Sequence, residues 1–87
     1  MKKLEFTVLG EPLVGGSLDV DATATIDDDG PFPIALPVLL NDQLLHMPAI
    51  DGVARIHLEF PTPGVTTLGP GDDFEGETLV LRADRTV

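Results

Sequence analysis

Residues Ser17–Asp27 read Ser-Leu-Asp-Val-Asp-Ala-Thr-Ala-Thr-Ile-Asp. Leu18, Val20, Ala22, Ala24 and Ile26 are apolar, and every residue between them is polar. Side chains on an extended strand alternate between faces, so this period of two makes one face dry and the other wet. On a helix the same apolar residues would spread around the whole circumference, which excludes an amphipathic helix. The segment is expected to be a central strand of an antiparallel sheet. Ala22 and Ala24 are small, so a facing strand or bulky side chains such as Leu58 or Phe60 are expected to approach closely there. The wet face carries Asp19 and Asp21, which suits it to scaffold and to no docking partner except a basic one.

The same alternation recurs along the chain. Lys3–Leu9 puts Leu4, Phe6 and Val8 on one face, and Gly10-Glu11-Pro12 ends it. Leu13 and Val14 fall in an expected loop before Gly15-Gly16, either plugging the end of the fold or contacting a partner. Asp27-Asp28-Asp29-Gly30-Pro31 is a turn signal. Phe32–Leu40 must be extended, because Pro33 and Pro37 forbid a helix interior. Prolines favour sheet margins, so an edge strand is expected, with Ile34, Leu36 and Val38 on one face. Asn41-Asp42 fits a hairpin turn into Gln43–Met47. After a turn at Asp51-Gly52, Gly52–Phe60 alternates Ala54, Ile56, Leu58 and Phe60 against Arg55, His57 and Glu59. Val65–Leu68 is a short strand, 69–76 a loop rich in glycine and acid, and Glu77–Asp84 a last strand with Leu79, Leu81 and Ala83 inward. Arg85-Thr86-Val87 reads as a tail. About seven short strands and no helical period make residues 1–87 one all-β domain, a sandwich or small barrel.

Composition narrows the function. The chain has 87 residues, 43% of them hydrophobic, which excludes a disordered segment. A chain of this size buries only roughly 60–65% of its unfolded surface, so its stability margin is thin. It has no cysteine, hence no disulfide and no cysteine-rich metal site. The net charge is −10, from fifteen acids against five bases. That excludes a nucleic-acid partner, which needs a basic stripe, and disfavours anionic membranes. The longest nearly apolar run, Pro31–Leu40, is too short to span a bilayer. Acids interrupt the segment after Met1-Lys2-Lys3, so no signal peptide is read there. A chain beginning at Met1 is then expected to stay in the cytoplasm or to leave inside a larger particle.

Each candidate for chemistry fails on its own residues. Aligned on Gly30, a calcium loop would need an acid at Thr25 and at Leu36. Ser17, the one serine, has no nucleophile-elbow context. His46 and His57 would have to meet across neighbouring strands to share a zinc ion. A glycosidase-like carboxylate pair would need a cleft that so small a fold scarcely provides. The acidic loop Asp72–Glu77 would share a cation with the Asp27–Asp29 turn if both lay at one end and is otherwise solvated, with Phe74 anchoring it to the core or serving as an interface aromatic. No catalytic, cofactor or metal residue is expected.

Three segments carry a resemblance. They are Val20–Gly30, an alternating strand running into an acidic turn; Asp51-Gly52-Val53-Ala54-Arg55-Ile56-His57-Leu58; and Pro63-Gly64-Val65-Thr66-Thr67-Leu68. From Ser17 onward the chain resembles the bacterial immunoglobulin-like (Big-type) modules of adhesins, surface proteins and tailed-phage virion proteins. It departs from them at Val65-Thr66, where an aromatic usually follows Pro-Gly, and it lacks the Cys–Trp–Cys arrangement of antibody domains. The resemblance implies an immunoglobulin-like antiparallel β-sandwich of about seven short strands. It also implies a structural or binding module and not an enzyme. A single module without an export signal looks most like a phage head-decoration, minor capsid or tail accessory protein located in the virion. Its expected partner is a capsid or tail protein or a second copy, with no nucleic acid and no membrane. The alternative is a module of an exported adhesin-type protein that recognises a protein or glycan ligand. The candidate docking residues are Leu13, Val14, Leu39, Leu45, Val53 and Val80, which break the alternation, together with Phe74.

Overall fold

The computed structural model describes residues 2–27 and 32–86. The alternating segments become β1 (Lys2–Leu9), β3 (Ser17–Ile26) and β6 (Val53–Glu59), hydrogen-bonded in the order β1-β3-β6. A second sheet takes β4 (Ala35–Leu40), β5 (Gln43–Pro48), β7 (Gly64–Pro70) and β8 (Leu79–Ala83) in the order β5-β4-β7-β8. Every pairing in these two sheets is antiparallel. The chain crosses between sheets after β3, after β5 and after β6, which is the immunoglobulin-like sandwich expected from sequence. A third, parallel pair joins β2 (Leu13–Val14) to β9 (Arg85–Thr86) along one side. Leu13-Val14 and Arg85-Thr86, expected as loop and tail, are therefore two-residue strands.

The core follows from the alternation. Leu18, Val20, Ala22 and Ala24 of β3 are buried, with Leu4 of β1 and Ala54, Ile56 and Leu58 of β6 beside them. The facing sheet contributes Leu36, Val38, Leu68 and Leu81 to the same cluster. No polar or charged residue is buried among the described residues, so the interior is held by apolar burial alone. The register corrects one expectation. Ala22 lies opposite Ala54 and Phe6, while Leu58 lies opposite Leu18 at the other end of β3. Phe60 is further still in that direction, donating its N–H to the Gly16 carbonyl. The bulky neighbour of Ala22 is Phe6 of β1, with Ala54 on its other side, and Leu58 and Phe60 lie toward the Leu18 end.

The proline-rich strand is not at an edge. β4 pairs along its length with β5 and over Val38–Leu40 with β7. Pro37 costs only one donor, on the side facing β7, where Gly71 N–H donates to the Pro37 carbonyl at 3.0 Å and the ladder stops. A missing donor at the end of a ladder is cheap, so the strand stays interior. Ile34 precedes β4 and is 87% exposed, so it does not join Leu36 and Val38 inside.

Two turns hold as read. Asn41 and Asp42 both have positive φ (49° and 67°), the signature of a two-residue type I′ hairpin. The Asn41 side-chain oxygen also accepts the Thr67 N–H at 3.0 Å, tying the turn to β7. Asp51 and Gly52 likewise have φ of 52° and 81°. Of the acidic turn at Asp27–Pro31, only Asp27 lies among the described residues.

Candidate docking surface

The two sheets share a core but present unlike outer faces. The outer face of β1-β3-β6 is built from the polar positions of the alternation. Asp21 and Arg55 are directly opposed, and the guanidinium grips the carboxylate with Nε–Oδ1 at 2.9 Å and Nη2–Oδ2 at 3.2 Å. That paired hydrogen bond holds the Asp21 carboxyl below its ordinary value, with burial opposing and the Arg55 charge assisting. One step along, His57 Nδ1 meets Asp19 Oδ1 at 2.9 Å, and its Nε2 is 3.8 Å from Glu59. Lys3 and Glu5 approach to 3.6 Å on β1. This is a solvated ladder of partly compensated charge, as the wet face of Ser17–Asp27 implied.

The outer face of β5-β4-β7-β8 carries almost no charge. Leu36 and Val38 point inward, so Pro37 and Leu39 point out, and the register puts Leu44 and His46 of β5 on the same side. Through β7 and β8 the face continues with Val65, Thr67, Val80 and Arg82. Val80 is 60% exposed, Val65 45% and Leu44 40%. None of the fifteen carboxylates of the chain lies on any of these four strands. His46 and Arg82 are their only ionisable side chains.

The sequence candidates scatter across this geometry. Leu39 and Val80 lie on this carboxylate-free outer face. Leu45 pairs with Val38 and so belongs to the inner side of β5. Val14 and Phe74 are half-buried and pack against the core, as a plug and an anchor would, and Lys2 Nζ sits 5.8 Å from the Phe74 ring centre. Leu13 is half-buried in the β2–β9 pair. Val53 opens β6 on the charged sheet, opposite Thr23. Leu44 and Val65 were missed. The signal that finds them is where the acids are absent, which an alternation test does not score.

The other candidates for chemistry are kept apart or left open. His46 and His57 lie on opposite outer faces of the sandwich, so they do not meet as a zinc pair. Asp27 and the acidic loop lie at the same end: β1 begins at Lys2 opposite Ile26, and Glu75 N–H donates to the Lys2 carbonyl at 2.9 Å. A cleft of about 350 Å³ runs between Lys3–Phe6 and Gly76–Leu79, where the edges of the two sheets are not bonded to each other. At the end of the sandwich Phe32, Ile34 and Ile50 are exposed, with Phe32 stacked over Gly52. No known protein family, no curated protein sequence and no solved structure matches this chain.

Proposed function

We propose that this chain is a non-enzymatic docking module: a small rigid sandwich that attaches to a protein partner through the outer face of β5-β4-β7-β8. The resemblance of Val20–Gly30, Asp51–Leu58 and Pro63–Leu68 to Big-type modules supports a setting in a phage particle, as a head-decoration, minor capsid or tail accessory protein. The observation that carries docking is the distribution of charge. A chain of net charge −10 keeps every carboxylate off four adjacent strands, two of whose outward valines are about half exposed. Chance placement of fifteen acids would put several there. An apolar, charge-depleted patch is the composition of an interface core. Four strands spaced about 4.8 Å apart, each roughly 17 Å long, give a patch of about 300 Å², the size at which exposed apolar surface on a small protein is commonly functional.

The alternative, a glycan-binding adhesin module, draws less support. Sugar sites are commonly lined by exposed aromatics, and of the four phenylalanines only Phe32 is exposed.

The test uses particles purified on a density gradient from the organism that encodes the chain. The chain should co-sediment with them in fixed ratio, and Val80→Glu should remain soluble and unincorporated while its circular dichroism and melting temperature match the parent. A chain absent from particles refutes the virion setting. A Val80→Glu variant incorporated normally refutes the docking face.

A further inference from the structure

The carboxylate-free face is bordered by acids at several of its strand ends. Asp42 sits in the β4–β5 turn, Asp72 and Asp73 follow β7, Glu77 precedes β8 and Asp84 follows it. All five are exposed. The loop at Gly71 lies directly on the face, since a Cβ there would meet Leu44 Cδ1 at 2.7 Å. Arg82 on the face itself and Arg85 on β9 are the two arginines nearest this border, against five acids.

Size makes this border matter. A standard stable interface covers about 800 Å² per partner, against roughly 300 Å² for the apolar patch. Any stable partner therefore reaches past the patch and onto the acidic border. A second copy would bring the same border against this one, acid facing acid, on two bodies of net charge −10 each.

We propose that the occupant of this face is a protein surface whose apolar centre is ringed by lysine or arginine, and not a second copy of this chain. The proposal rests on the docking reading above and names the chemistry of the partner. The patch supplies burial, and the border supplies selectivity and steering, because rim charges act mainly on encounter rate and salt dependence.

The experiment titrates two synthetic β-hairpin peptides into isotope-labelled protein and follows its amide resonances. The peptides share one leucine-valine face; one flanks it with lysine, the other with glutamate. The lysine peptide should shift the amides of Leu39, Leu44, Val65 and Val80 and bind roughly tenfold more tightly than the glutamate peptide at low salt. That ratio should fall toward one at about 0.5 M salt. It should fall likewise in the triple variant Asp42→Asn, Asp72→Asn, Asp73→Asn. Asparagine tolerates the positive φ of Asp42 and Asp73, so that variant keeps the turns. Equal binding of both peptides at the face overturns the basic-partner proposal and leaves the docking face standing. A dimer seen by sedimentation, with the same four amides moving on dilution, overturns it in favour of a second copy. No shift at all, or shifts confined to β1-β3-β6, overturns both readings.

Discussion

Gly76→Ala is the substitution from which we expect the largest effect for the least chemical change. Gly76 is exposed and lies in the loop before β8. A Cβ there would run into the carbonyl oxygen of Leu4, and the residue has φ of 156°, at the margin of what an L side chain adopts. The obstructing atom is backbone, and it belongs to β1, which is held in register by the Leu4↔Ala24 pairing. The loop must therefore yield. The bonds at stake are Leu4 N–H to the Glu75 carbonyl and Glu75 N–H to the Lys2 carbonyl, each 2.9 Å. Two hydrogen bonds at about 0.5–1.5 kcal/mol each contribute about 1–3 kcal/mol. Partial exposure of Phe74, which packs on the core beside them, adds about 1 kcal/mol. The expected loss is about 2–4 kcal/mol, from a total of about 4–13 kcal/mol for a chain this long. At about 4–8 °C per kcal/mol the midpoint falls by roughly 8–32 °C. Urea unfolding followed by far-ultraviolet circular dichroism reads it directly, since the chain has neither Trp nor Tyr. Gly64→Ala is the control, because a Cβ there meets nothing within 4 Å. It should be neutral or stabilise by up to about 1 kcal/mol. A Gly76→Ala protein with the parent's urea midpoint, or one no less stable than Gly64→Ala, would refute the reasoning.

Other outcomes follow from the core and the charged ladder. Leu68→Ala, at a fully buried position between the sheets, should cost about 2–5 kcal/mol in chemical denaturation, and a loss below 1 kcal/mol would show that the site collapses around the gap. The Asp21 carboxyl is held below its ordinary value of 3.8 by Arg55. Its contribution is thus fully present above that unfolded value and lost as pH falls through the lower folded one. Asp21→Asn should flatten the dependence of stability on pH in that acid window and leave the neutral range little changed. An unaltered acid limb would count against the pair. Asn41→Ala removes the acceptor of the Thr67 N–H and a side chain suited to positive φ, so the β4–β5 hairpin should lose about 1–2 kcal/mol, read as faster amide exchange at Thr67.

Much of this fold is legible in the sequence because the buried face of each strand is written at a period of two. β3 and β6 came out with their inward residues correct, and the turns at Asn41-Asp42 and Asp51-Gly52 are where their chemistry puts them. Pro37 misled because a general preference for edges says nothing about which side of the strand its missing donor faces. Leu13-Val14 and Arg85-Thr86 were invisible as strands, since two residues carry no period and their partner lies at the far end of the chain. The proposed docking surface is half legible. Leu39 and Val80 stood out as apolar residues at outward positions, but Leu44 and Val65 join them only through cross-strand register. Phe74 and Val14 show the converse: an apolar residue in an apparent loop is more often a plug.

The parallel pairing of Leu13-Val14 with Arg85-Thr86 sets an order of events during synthesis. β1 and β3 can pair once both are free of the ribosome, but β2 has no neighbour until β9 clears the exit tunnel. Closing so long a loop is a slow step. Until it closes, Leu13 and Val14 are an unlatched strip of backbone beside a finished sheet, open to any strand that arrives first. A chain cut short of Arg85 therefore keeps that strip open to chaperones and to other chains.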